Sequence, residues 1–77
     1  MNAIVLPSGP KTWDVESAPP MSAPLGKITL GDDGKIYITP GDGSPISDVD
    51  PGPYAILEAA MSAIGAAIGG SCERYRT

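Results

Sequence analysis

Two short alternating segments near the middle of the chain constrain its fold most strongly. KITL (27–30) and KIYIT (35–39) flank the tetrapeptide GDDG. Aliphatic residues alternate with lysine, threonine and tyrosine, and this period of two is typical of a β-strand with one buried face. Gly31 and Gly34 permit the positive φ angles of a tight loop. The pattern predicts a β-hairpin over residues 27–39.

The N-terminal third predicts one or two further strands. NAIVL (2–6) is short and β-branched and stops at Pro7, and KTWDVES (11–17) alternates with Trp13 and Val15 on one face. We expect the intervening PSGP to form a turn. The three prolines of SAPPMSAPLG (17–26) predict an extended, polyproline-like connection instead of regular structure.

The C-terminal part predicts one helix, over residues 53–69. Pro53 suits a first turn, Asp50 or Gly52 would lie near the cap, and Gly69 with Gly70 would end the helix. Its apolar residues recur every three or four positions: Tyr54, Leu57, Met61, Ile64 and Ile68. The expected fold is a single α+β domain, residues 1–77, in which this helix packs across a small antiparallel sheet. The predicted core comprises Trp13, Ile28, Ile36, Ile38, Leu57, Met61 and Ile64.

The other side of this helix carries a single charge, Glu58, and otherwise small residues: Ala55, Ala59, Ser62, Ala63, Gly65 and Ala66. Small residues four apart allow another backbone to approach closely. Two interpretations remain open: a weakly polar outer surface, or a surface that meets a partner or a second copy in a homodimer. Membrane insertion is disfavoured, because the apolar run is shorter than the ~20 residues of a spanning helix and contains Glu58.

Composition excludes several classes of function. The 77 residues include no histidine, the commonest general base and metal ligand, and one cysteine, Cys72, which cannot form an internal disulfide. The first residues lack the charged region of a signal peptide, so we expect a cytoplasmic protein. We expect no enzymatic activity, cofactor or metal site.

The acidic residues concentrate between the hairpin loop and the helix. Residues 31–52 hold five aspartates against one lysine, Lys35, so this segment carries the whole formal net charge of −4. The segment DVDPG begins like a calcium-binding EF-hand loop, but the glycine falls at the wrong place and Ala59 occupies the twelfth position, where glutamate is required. The negative charge also disfavours direct nucleic-acid binding.

Two interpretations of these aspartates remain open. Aspartate is a common turn former, so the acidity can be that of solvated loops. Alternatively, loops 31–34 and 41–50 form a surface that docks on a Lys/Arg-rich partner. The candidate partner-binding residues on that interpretation are Asp32, Asp33, Asp42, Asp48 and Asp50, with Tyr37 and Tyr75 as aromatic anchors.

In length, acidity and hairpin-plus-helix layout, with aspartates on its loops, the chain resembles small phage-encoded inhibitors of bacterial defence, the anti-CRISPR proteins in particular. No shared motif carries this resemblance. It implies a non-enzymatic inhibitor that occupies a basic, nucleic-acid-binding surface of a host Cas complex and blocks target DNA. The segment LGDDGKIYITPGDG also looks like the turn-rich hairpins of phage particle proteins, so a structural or accessory role in a phage particle is the alternative.

Overall fold

The predicted hairpin is present in the computed structural model, which describes residues 2–19 and 22–74. Its two strands are β3 and β4, and Ile28 pairs with Ile38 across them. The elements in chain order are β1 (Ala3–Gly9), β2 (Thr12–Ser17), β3 (Pro24–Leu30), β4 (Ile36–Pro40), α1 (Leu57–Ile68) and β5 (Cys72–Arg74). The expected α+β class is therefore confirmed.

The sheet has the order β4-β3-β2-β1-β5. The first four strands form an antiparallel meander, and β5 pairs parallel to β1, with Ala3 opposite Cys72. The sheet is thus mixed, with one more strand than the sequence patterns predicted. β5 has only three residues, two of them charged, and so shows no alternating pattern from which a strand could be predicted.

β1 continues through Pro7, where the sequence predicted its end. The amide of Ala3 donates to the carbonyl oxygen of Ser71, on the β5 side. Amide groups two residues apart in a strand point the same way, so the nitrogen of Pro7 faces that side as well, beyond the end of β5. A proline is tolerated there because no described residue pairs with Pro7 on that side and requires its missing donor.

The proline-rich connection is shorter than predicted. Its last three residues, Pro24 to Gly26, belong to β3, which the sequence placed at 27–30. Ser17 closes the loop that remains, because its amide donates to the carbonyl of Ala23 and its hydroxyl accepts from the amide of Ala23, 2.8 Å away. This local pairing satisfies the buried hydroxyl of Ser17 and accounts for its position inside the protein.

The helix begins at Leu57, four residues later than predicted. Residues 51–54 instead run along the outer edge of β4: Ile38 donates to the carbonyl of Pro51, and Tyr54 and Ile36 exchange two 2.8 Å hydrogen bonds. This segment, which includes a cis Gly52–Pro53 peptide, covers the edge strand that a hairpin alone would expose. Ile56 is the N-cap and supplies no side-chain hydrogen bond, so neither Asp50 nor Gly52 caps the helix.

The C-terminal end of α1 is as predicted. Gly69 adopts the left-handed conformation with φ 67°, and Gly70 donates back to the carbonyl of Gly65. The helix contacts both edge strands, β4 and β5. Twelve residues span about 18 Å, which matches the ~19 Å width of five strands spaced ~4.8 Å apart. One short helix therefore crosses one face of the sheet from edge to edge, and the buried Ile46 of the loop between β4 and α1 packs in the same core.

The core lies between that face and α1. Ile28, Ile36, Ile38, Leu57, Met61 and Ile64 are buried, as predicted. Trp13, also predicted for the core, is half-buried and packs against the buried cluster, so it lies at the margin of the core. The sequence patterns missed Ile46, which is fully buried although it belongs to the loop between β4 and α1. Within the described residues, no helix is long and apolar enough to cross a membrane.

Candidate docking surfaces on the acidic loops

The hairpin tip, residues 31–35, is held by the carboxylate of Asp33. Its Oδ1 accepts a hydrogen bond from the backbone amide of Lys35 at 3.0 Å, and its Oδ2 accepts one from the hydroxyl of Tyr37 at 2.5 Å. These two bonds, with the backbone bonds between Gly31 and Lys35, fix the tip in one conformation. Asp33 is therefore a structural residue of the tip as well as a surface charge.

The bond between Asp33 and Tyr37 has opposite effects on the two groups. The Tyr37 hydroxyl, helped by the Lys35 amide, lowers the pKa of the Asp33 carboxyl. The same bond raises the pKa of the Tyr37 hydroxyl. Asp33 is consequently ionised and Tyr37 neutral across the neutral pH range. The Tyr37 ring lies over Gly31, where an added β-carbon would come within 2.8 Å of it.

Asp32 is exposed next to this fixed turn. Together the tip residues carry two carboxylates and one ammonium, from Lys35, so the net charge of the tip is −1. The carboxylate of Asp32 is more available to an external partner than that of Asp33, because both oxygens of Asp33 already accept hydrogen bonds within the turn.

The other three predicted aspartates lie in the loop between β4 and residue 51, which we call the acidic loop (41–50). Asp42, Asp48 and Asp50 are all exposed. This loop contains no lysine or arginine, so it carries a charge of −3. The hairpin tip and the start of the acidic loop stand beyond opposite ends of β4, about 20 Å apart along the strand. The predicted residues thus form two patches, not one continuous surface.

The acidic loop is folded, despite its glycines and prolines. Three successive turns close through backbone hydrogen bonds from Ser44 to Gly41, Ser47 to Ser44, and Val49 to Ile46. Ile46 inserts between these turns into the core. At the end of the loop, Oδ1 of Asp50 accepts from the amide of Gly52, and its backbone carbonyl accepts from the Tyr54 hydroxyl at 2.6 Å. Asp50 is therefore a turn former, while Asp42 and Asp48 project from a fixed frame.

Tyr75, the second predicted aromatic anchor, lies outside the described residues. The small-residue surface of α1 is only partly as expected. Ser62 and Ala66 are exposed and Ala59 and Ala63 are half-buried, but Gly65 is buried against the chain that follows the helix. A β-carbon at Gly65 would stand 3.1 Å from the carbonyl oxygen of Gly70, so this glycine serves internal packing.

Sequence reasoning missed a third group of carboxylates, on the face of the sheet away from α1. The register places Glu16 and Glu73 on either side of Ile4, and Asp14 beside Leu6. No single segment of the sequence shows this excess of negative charge, because the three residues come from distant parts of the chain. The signal available was the strand IVL, which has aliphatic residues on both of its faces.

Metal-ligating groups and the single cysteine bear on the chemistry that these surfaces could perform. Among residues 2–19 and 22–74, no group of three or more cysteines and carboxylates could hold a metal ion. Burial, with a smaller effect of Glu73, raises the pKa of the Cys72 thiol to about 11, so the thiol is protonated and weakly nucleophilic at neutral pH. Comparison of the chain with protein families, with curated proteins and with solved structures found no match.

Proposed function

We propose that this chain is a non-enzymatic inhibitor that occupies a basic, nucleic-acid-binding surface of a larger host defence complex of the CRISPR effector type and blocks target DNA. The observation that carries the proposal is the construction of the acidic loop. Asp42 and Asp48 stand on the first and the last of three successive hydrogen-bonded turns, which the buried Ile46 anchors, and Asp50 follows them with its carboxylate bonded to the Gly52 amide. Such a surface presents fixed negative charges without a large ordering cost on binding.

The negative charge of this surface indicates a partner that exposes positive charge. Phosphate-binding proteins expose lysine and arginine, and exposed carboxylates attract the same side chains. Asp42 and Asp48 supply this charge in the acidic loop, and Asp32 adds to it at the hairpin tip with Tyr37 as a neighbouring aromatic contact. The place of action on this proposal is the cytoplasm of the host cell.

A competition assay tests the proposal directly. The purified chain is added to a Cas effector complex before labelled target DNA, and DNA binding is measured by mobility shift. We expect DNA binding to fall as the chain is titrated, and the inhibition to weaken with added salt because the Debye length is ~8 Å at physiological ionic strength. Binding of the chain to the complex without loss of DNA binding would contradict the blocking mechanism.

Two double variants locate the contact. Asp42→Asn with Asp48→Asn removes two charges from the acidic loop without touching its hydrogen-bonded carboxylate, Asp50. The control, Ser62→Lys with Ala66→Lys, changes the net charge equally on the exposed side of α1. We expect the loop variant to inhibit more weakly than the control. Equal inhibition by both would mean that the acidic loop is only solvated.

The open outer edge of β5 favours a second candidate, a structural or accessory protein of a phage particle. No strand among the described residues pairs with that edge, and an open edge can accept a strand from a neighbouring subunit. Co-purification of the chain with phage particles, and not with a Cas complex, would favour this role. Self-association through Ser62, Ala66 and their neighbours on α1 is a separate proposal, which sedimentation equilibrium would test.

A further inference from the structure

The face of the sheet opposite α1 has a defined pattern of its own. Its side chains are exposed or half-buried, and they come from all five strands. We call this surface the open face; it comprises Ile4, Leu6, Thr12, Asp14, Glu16, Lys27, Thr29, Tyr37, Thr39 and Glu73. None of these residues belongs to the core or packs against it.

Two aliphatic side chains form the centre of one half of the open face. Ile4 and Leu6 are two residues apart on β1 and therefore project to the same side. Ala3 and Val5, which alternate with them, already supply the buried surface of β1. Ile4 and Leu6 thus remain as half-buried apolar side chains on the side of the sheet that α1 does not cover.

Carboxylates flank this apolar pair on both sides. Ile4 lies opposite Glu16 of β2 and opposite Glu73 of β5, and since neighbouring strands are ~4.8 Å apart, the two glutamates stand about 10 Å from each other. Leu6 lies opposite Asp14. Among the described residues, no cation forms an ion pair with either glutamate.

The lysine and arginine side chains of the described residues do not neutralise the negative charge of the open face. Lys27, the one cation on the open face among the described residues, lies 3.9 Å from Asp14. Arg74 is on the opposite side of the sheet, where it pairs with Glu58 of α1. Three carboxylates against one ammonium leave the open face with a charge of −2, which resides on Glu16 and Glu73.

A groove extends the open face towards the acidic loop. Asp14, Glu16 and Asp42 contribute carboxylates to its wall, Lys27 contributes the one ammonium, and Pro24 and Thr39 contribute apolar surface. The methylene stem of a lysine or arginine could lie along Pro24 while its charge meets the carboxylates. The groove therefore has the shape and charge that suit a long cationic side chain.

We propose that the open face binds a segment of a partner protein that presents lysine or arginine side chains on both sides of an aliphatic one. The aliphatic side chain would cover Ile4 and Leu6, and the cations would meet Glu16, Glu73 and the groove. Nucleic acid and anionic lipid carry the wrong charge for this face, and a second copy of the chain would bring the same carboxylates against it. The inference goes beyond the proposed function, because its central residues, Ile4, Leu6, Glu16 and Glu73, have no part in that function and because it does not require a partner that handles nucleic acid.

Chemical-shift mapping on the isotopically labelled full chain tests this inference. The probe is a synthetic amphipathic helical peptide with lysines flanking leucine on one face, and the control peptide has serine in place of each leucine. We expect saturable shifts at residues 4–6, 14–16 and 73, and much weaker shifts with the serine peptide. Shifts confined to the hairpin tip or the acidic loop, or no saturable shift at about millimolar peptide, would overturn the inference.

A pair of variants separates this surface from the acidic loop. Glu16→Gln with Glu73→Gln removes the flanking charges, and Asp32→Asn with Asp48→Asn removes two charges elsewhere. We expect the first variant to bind the leucine peptide about fivefold more weakly and the second to bind it like the wild type. The reverse order would overturn the inference and leave the proposed function standing. Weaker inhibition by the Asp32 and Asp48 variant, with unchanged peptide binding, is the result expected if both proposals hold.

Discussion

The Cδ1 atom of Ile46 lies 3.1 Å from the position that a β-carbon at Gly26 would occupy. Ile46 of the acidic loop therefore packs into the space beside β3 that is open because residue 26 has no side chain. The same missing side chain lets the backbone at Thr39 and Gly41 approach β3 closely. One glycine thus couples the placement of the acidic loop to the sheet.

Gly26→Ala should destabilise the protein. The new methyl group would meet the backbone carbonyl oxygen of Thr39 at 2.6 Å, and a strand backbone has to shift to relieve that contact. We expect a loss of about 1–3 kcal/mol in the free energy of unfolding, measured by urea denaturation. Gly34→Asn is the control, since position 34 has open space and asparagine tolerates its φ of 80°. Equal stability of Gly26→Ala and the wild type would show that Ile46 is not seated beneath β3.

Two adjacent residues at the start of α1 should respond very differently to truncation. Leu57 is buried in the core, whereas Ile56, the N-cap, is 58% exposed. We expect Leu57→Ala to cost about 2–5 kcal/mol and Ile56→Ala less than about 0.5 kcal/mol. Thermal or urea unfolding of the two variants measures the contrast. Similar losses at both positions would mean that the helix begins at a different residue or is rotated about its axis.

Tyr37→Phe should raise the pKa of Asp33. The hydrogen bond from Tyr37 is the largest cause of the lowered pKa of this carboxyl, and phenylalanine cannot make it. Because the folded pKa of Asp33 lies below its unfolded value, the bond stabilises the protein above the unfolded pKa. That stabilisation is lost as the pH falls through the interval down to the folded pKa. Carbon-detected NMR titration of Asp33 follows the shift directly. An unchanged Asp33 curve in the variant would show that the hydroxyl of Tyr37 does not bond to this carboxylate in solution.

Cys72 should react slowly with thiol reagents while the protein is folded. Burial and Glu73 raise the pKa of its thiol to about 11, so little thiolate is present at neutral pH. Unfolding returns the pKa to ~8.5 and should accelerate disulfide exchange with an aromatic disulfide by more than about a hundredfold. The rate is followed by absorbance, with and without urea. A folded chain that reacts as fast as the unfolded one would place Cys72 in solvent.

Local sequence patterns determined the elements whose residues repeat with a clear period. The alternation in KITL and KIYI predicted the β3–β4 hairpin, because side chains on opposite faces of a strand need opposite chemistry when one face is buried. Leu57, Met61 and Ile64 predicted the buried side of α1, and Gly69 predicted its end. The aspartates of both loops were also recognisable as surface residues from the turn chemistry around them.

Tertiary structure alone decided where the acidic loop and the short strand β5 lie. β5 is too short and too charged to show a strand pattern, and it exists because α1 returns the chain beside β1. Ile46 lies among glycines, serines, aspartates and a proline, with Val49 as the only other aliphatic residue of the loop, and its burial depends on the missing side chain at Gly26, twenty residues earlier in the chain. Glu16 and Glu73 lie on either side of Ile4 because β2 and β5 both pair with β1. Contacts between distant segments are set by how the elements pack, and no local period in the chain records them.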